Sequence, residues 1–170
     1  MNRALRVRLA AAIALVLLLH LTLLAEVRIA GVRPDAPLLL AVVAGLAAGA
    51  ERGAIVGFAA GLSADLFLSS PFGLSALVYS LVGFAIGSFQ SGILRSAWWI
   101  PVVTAFGGSA AGIVLYAVVG ATVGETEMVG VRLALIALLV GMMNALLAPP
   151  AMRLVAWALR AGPRERAYAT

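Results

Sequence analysis

The sequence predicts an all-α protein: a single integral membrane domain over residues 1–170, folded as a polytopic bundle of about six transmembrane helices. Three observations predict it. Hydrophobic residues make up 64% of the 170 and charged residues only 11%, with a mean hydropathy of +1.10, against about 45–50% and about 25% in ordinary globular domains. Apolar segments recur along the chain with short polar breaks between them, and arginines gather at both ends and at alternate breaks. A chain this short has too little interior to hide such an excess from water, so the excess must face lipid. The same composition excludes a disordered chain, and the lack of a Gly-X-Y or proline-rich register excludes collagen-like and polyproline chains.

The first apolar run, 9–25, follows Arg3, Arg6 and Arg8. It exceeds the roughly 7–15 residues of a signal-peptide core, and Leu23 stands where cleavage favours a small side chain, so it reads as an uncleaved span. Further segments follow at 37–50, 53–68, 73–89, 97–120 and 131–148. The second and third fall short of the roughly 20 residues that cross a bilayer upright, and only Glu51 and Arg52 separate them. A tight helical hairpin with thinned or re-entrant ends, or one broken helix, fits that spacing. After Pro149 and Pro150 the apolar pattern resumes through Met152, Leu154, Val155 and Trp157, as a kinked extension of the sixth span or a short interfacial helix. Trp98 and Trp99, after Arg95, read as an interfacial anchor.

With six alternating spans, Arg3, Arg6, Arg8, Arg52, Arg95, Arg153, Arg160, Arg164 and Arg166 share one side. The positive-inside rule makes that side, and both termini, cytoplasmic. The other side receives Arg28, Arg33 and Arg132 with Glu26, Asp35, Asp65, Glu125 and Glu127. The net charge of +5 therefore reads as membrane orientation; the arginines form no single basic face, and no nucleic-acid partner is expected. There is no cysteine, hence no disulfide, thiolate nucleophile or thiolate metal site.

Within the spans, glycine spacing is the strongest signal. Gly45, Gly49, Gly53, Gly57 and Gly61 recur every fourth residue and Asp65 continues the row, while Gly83 and Gly87, and Gly108 and Gly112, repeat the device. Small residues at this spacing let helix backbones approach, which in lipid drives packing within the bundle or against a partner. Asp65 is an expensive carboxylate at a span edge, read as a proton or ion site, as an anchor for the turn through Ser69, Ser70 and Pro71, or as a helix-end carboxylate that caps the helix from Gly73 or reaches the interface. His20, without carboxylates at helical spacing, reads as a satisfied interior histidine and not as a metal ligand. Asn144 reads as an interhelical hydrogen-bonding residue. Gly61-Leu62-Ser63-Ala64 and Gly73-Leu74-Ser75-Ala76 resemble the Gly-x-Ser motif of rhomboid proteases, but the sole histidine precedes them and nothing downstream serves as base. No catalytic, cofactor or metal residue is expected, and the chain reads as a non-enzyme.

The central segment also carries a family resemblance. Pro34-Asp35, Glu51-Arg52-Gly53, the run Gly57-Phe58-Ala59-Ala60-Gly61-Leu62-Ser63-Ala64-Asp65-Leu66-Phe67, then Ser70-Pro71-Phe72-Gly73-Leu74-Ser75 and Leu81-Val82-Gly83-Phe84-Ala85-Ile86-Gly87, resemble the MreD family of rod shape-determining proteins. Asn144-Ala145-Leu146-Leu147-Ala148-Pro149-Pro150 and the basic start match as well. The resemblance implies a multipass inner-membrane scaffold of the bacterial elongation complex. It further implies binding to MreC, a single-span protein, and through it an influence on peptidoglycan synthases and, where present, MreB filaments. It implies a six-helix fold similar to the substrate-capture subunits of energy-coupling-factor transporters.

Two functional classes follow. In the first the chain is a scaffold, with Asp35, Gly53, Gly57, Gly61, Asp65, Pro71, Gly73, Gly83, Gly87 and Asn144 as candidate packing or partner-contact residues, membrane lipid as its surroundings and a second copy of the chain as a further candidate partner. In the second it is a vitamin-capture subunit, for which Ala10 and Ala14 would supply a coupling surface. The scarcity of polar side chains in the spans favours the first.

Overall fold

The computed structural model describes residues 3–67, 71–89, 99–124 and 130–159. The expected features at Ser69, Ser70, Arg95, Trp98, Glu125, Glu127, Arg160, Arg164 and Arg166 lie outside the described residues. Among those described, the chain is helical, with one isolated antiparallel bridge between Ile29 and Val32. Helix α1 spans Arg3–Leu21, the single turn α2 Leu23–Glu26, α3 Ala36–Ala48, α4 Ala50–Asp65, α5 Leu74–Phe89, α6 Ile100–Thr122 and α7 Leu133–Ala158.

The predicted first span is interrupted at Thr22, whose hydroxyl donates to the Leu18 carbonyl at 2.6 Å, a side-chain bond that competes with helix continuation. Beyond α2 the chain reverses at Ala30 and Gly31, which take φ of 52° and 81°, the paired left-handed conformations of a tight two-residue turn. Asp35 then caps α3 by accepting the Leu38 N–H at 3.0 Å, with Pro37 in the first turn, where a missing N–H costs nothing.

Helix α3 is the hub. From Ala36 to Leu46 every residue is buried, and the helix packs against α1, α4, α5, α6 and α7. A helix apolar on all sides belongs at the centre of a bundle, shielded by its neighbours. Gly49, at φ 92°, separates α3 from α4 and folds the backbone so sharply that Gly53 lies against Gly45. The polar pair expected to divide the two segments, Glu51 and Arg52, instead sits exposed in the first turn of α4. Of the alternatives open at this point, the hairpin is the one formed.

Helices α4 and α5 run antiparallel in a fixed register, Gly53 beside Gly83, Gly57 beside Tyr79 and Gly61 beside Ser75 and Ala76. Helix α6 lies antiparallel to α3, Gly108 meeting Val42 and Gly112 meeting Leu38. The apolar interior divides into a cluster joining α1, α3 and α7 through Leu9, Val16, Leu40, Val43 and Val155, and one joining α3 and α5 through Leu38, Val42, Val78 and Val82. Helix α7 passes through Pro149 and Pro150 and ends at Ala158, so of the two readings of the tail the extension of the sixth span is the one formed. Both proline rings are exposed, while Val155 and Ala158 beyond them are buried in the first cluster and hold the last turns in place.

The helices of the six expected spans differ in length. Among the described residues, only α6 and α7, with 23 and 26 residues, are long and apolar enough to cross a membrane by themselves, at about 35 and 39 Å. Helices α3, α4 and α5 have 13, 16 and 16 residues, about 20–24 Å. Segments 37–50 and 53–68 spend residues on the Gly49 bend and on the turn after Asp65, which apolar run length does not reveal. The exterior is nonetheless apolar: Leu18, Phe58, Leu81, Phe84, Val103, Leu138 and Leu146 are exposed, whereas Asp65, Ser75, Ser109 and Asn144 are buried. That arrangement inverts the one expected in water.

Candidate functional site

The α4–α5 seam is built from backbone. A Cβ placed on Gly57 would strike the Tyr79 carbonyl oxygen and stand 2.6 Å from its carbon. One on Gly61 would stand 2.5 Å from the Ser75 carbonyl oxygen and 2.6 Å from the Ala76 Cα. Gly53 and Gly83 face each other, and Gly87 lies against Gly49 and Ala50. Helices this close gain dispersion that lipid tails cannot match at larger separation. The stripe predicted from glycine spacing is therefore occupied within the bundle, and Gly53, Gly57, Gly61, Gly83 and Gly87 offer no open face to another molecule.

Asp65 closes the far end of this seam. Its carboxylate is 3% exposed and accepts three backbone N–H groups: Gly73 at 2.9 Å, Ser75 at 3.2 Å and Ala76 at 3.3 Å. Gly73 takes φ 96°, and the Pro71 carbonyl accepts the Leu74 N–H at 3.1 Å, so the turn presents the unpaired donors at the start of α5 to one oxygen pair. A carboxylate there also meets the positive end of the α5 dipole. Among the readings of Asp65, this geometry is that of the cap and turn anchor.

A second polar cluster ties four helices together beside Asp35. The Tyr79 hydroxyl donates to Asp35 Oδ2 at 2.6 Å, and Asn144 Nδ2 donates to the Asp35 carbonyl and to Ser109 Oγ, both at 2.9 Å. Burial pushes the Asp35 carboxyl above its usual range, against which the Tyr79 hydroxyl, the Leu38 N–H and the nearby His20 act. Asn144 thus bridges helices, as its polarity within an apolar span suggests. Tyr79 and Ser109 were not singled out from the sequence. The available signal was depth: Tyr79 lies in the second turn of α5 and Asp35 at the start of α3, so both fall near the same end of the bundle.

His20 departs from expectation. Its Nδ1 is buried without a hydrogen-bond partner, and the ring borders an open cavity of about 450 Å³ shared with Arg33, Asp35, Tyr79 and Val140. A histidine near the end of α1 faces whatever fills the gap among α1, α3 and α7, and the sequence carries no sign of that gap. Of the two Gly-x-Ser motifs, Ser63 donates its hydroxyl to the Ala59 carbonyl at 2.7 Å, and Ser75 is fully buried beside the Asp65 cap. Among the described residues no group of three or more His, Asp or Glu side chains is arranged to hold a metal.

Buried polar ties, a backbone-tight seam and an apolar exterior define a class: a small helical membrane protein. The chain belongs to the MreD family, since the family model described as rod shape-determining protein MreD matches residues 1–157. It is a family of bacterial membrane proteins with a structural role in rod shape determination. Neither a curated protein nor a solved structure matches the chain.

Proposed function

We propose that the chain is a non-enzymatic scaffold of the elongation complex that binds an MreC-type single-span protein within the bilayer and so supports lateral peptidoglycan synthesis. The apolar exterior carries this reading: with polar groups turned inward and short connections between helices, a partner is met through lipid-facing surface. The glycine seam is already filled, so the docking surface lies elsewhere. An open apolar groove of about 240 Å³ between α1 and α7, lined by Leu15, Leu19, Leu39, Leu147, Ala151 and Leu154, has the character of a seat for one transmembrane helix.

In this reading the chain crosses the membrane six times, with both termini cytoplasmic. The bundle's ends support it: Leu9, Arg52 and Ala158 meet around one small cavity, whereas His20, Asp35, Phe67 and Ile136 meet around another. Each of α1, α3, α4 and α7 thus contributes to both ends, as alternating crossings require. The short α3–α5 group is accommodated by local thinning of the bilayer around it. Family membership favours the scaffold over a vitamin-capture subunit.

Co-purification with the MreC-type protein of the same cell tests the docking. Leu19→Trp or Ala151→Trp, which fill the groove, should abolish recovery of the partner while leaving the helical content intact. Undiminished recovery with both variants would refute the docking site.

A further inference from the structure

The cavity beside His20 has no part in the scaffold reading, and its lining is chemically specific. Arg33 and Asp35, two residues apart on either side of Pro34, both border it, as does His20. The remaining wall is apolar, with Ile113, Ile136 and Val140 among its residues. His20 Nδ1 is shielded from solvent without a partner, a cost that a ligand donor removes. Each Asp35 oxygen already accepts one bond, from Leu38 N–H and Tyr79 O–H, and a carboxylate oxygen has a second lone-pair site. The cavity therefore offers acceptors on its inner side and a guanidinium at its exposed rim.

We propose that this cavity binds a compact zwitterion in which a primary ammonium and an anionic group lie a few atoms apart, the chemistry of a phosphoethanolamine headgroup. The ammonium has three N–H donors, for which Asp35 and the unpartnered Nδ1 of His20 are acceptors. Arg33 takes the phosphate as a bidentate, charge-assisted pair. A volume of about 450 Å³ falls within the range of small-ligand pockets, and the apolar wall suits the acyl-bearing end of a lipid. A trimethylammonium headgroup has no N–H to donate and is discriminated against; a purely anionic headgroup leaves Asp35 and His20 unmatched.

The test uses the full chain in detergent. Native mass spectrometry measures retention of phosphatidylethanolamine, phosphatidylcholine and phosphatidylglycerol, and calorimetry measures binding of free phosphoethanolamine. Phosphatidylethanolamine should be retained about tenfold better than the other two, the effect of one charge-assisted hydrogen bond. Arg33→Gln and His20→Phe should each lower retention by a similar factor. Arg33 is exposed, so its variant reports on the ligand without disturbing the bundle. Tight binding of free phosphoethanolamine alone would support the same recognition chemistry and assign it to a soluble zwitterion. Equal retention of the three lipids with no binding of free phosphoethanolamine, a preference for phosphatidylglycerol, or unchanged retention in Arg33→Gln would overturn the proposal and leave the scaffold reading untouched.

Discussion

Replacing Gly57 by alanine adds one methyl group at one of the tightest points of the α4–α5 seam. The new Cβ would stand 2.6 Å from the Tyr79 carbonyl carbon and nearer still to its oxygen, where ordinary contact begins near 3.4 Å, so the two backbones must part by at least about 0.8 Å. The obstructing atoms are main chain and cannot rotate away. Overpacking of this kind costs about 1–3 kcal/mol, and alanine returns up to about 1 kcal/mol through helix propensity, leaving a net loss of about 1–2 kcal/mol. Gly107→Ala is the control, because nothing lies within 4 Å of its added Cβ and the position is exposed on α6. Unfolding by increasing SDS in mixed micelles, followed by far-UV circular dichroism, compares the two. Gly57→Ala should unfold at lower SDS than the parent and Gly107→Ala at the same or higher SDS. Equal midpoints for Gly57→Ala and the parent, or an equal loss in Gly107→Ala, would refute the claim that backbone contact holds the seam.

Three further predictions concern the polar ties and the topology. Asp65→Ala strips the acceptor from three backbone N–H groups at a buried site and should cost about 1–3 kcal/mol in the same SDS assay, with Asp65→Asn losing less because one oxygen remains. Asn144→Leu should cost about 1 kcal/mol, and adding Ser109→Ala should cost little more, because that partner bond is already lost. Since the chain has no cysteine, Arg33→Cys and Arg52→Cys are single labelling sites; a membrane-impermeant maleimide should label the first in intact spheroplasts and the second only after permeabilisation. Labelling of both from the same side would contradict the alternating topology.

Much of the architecture is legible because lipid imposes a strict rule: long apolar runs become helices and small residues mark their close approaches. The glycine row from Gly45 to Gly61 announces the α3–α4–α5 packing, and Asp65 before Pro71 and Gly73 announces a turn held by a carboxylate. What stays hidden is long-range. Apolar run length does not distinguish the buried hub α3 from a lipid-facing span, because both want Leu, Val and Ala. The break at Gly49 is hidden because glycine also serves as a packing residue at the same spacing, and only its φ of 92° separates the two uses. Continuity through Pro149 and Pro150 depends on what Val155 and Ala158 pack against, which local propensity does not contain. The orphaned His20 depends on a gap among α1, α3 and α7 that no segment encodes alone.

The role in rod shape is tested most directly by depleting the chain from its own rod-shaped cell and recording cell width and length over successive divisions, with a small-molecule uptake assay alongside. Depleted cells should widen and round, and re-expression of the chain should restore rods. Cells that keep their rod shape, above all with a loss of vitamin uptake, would contradict the account.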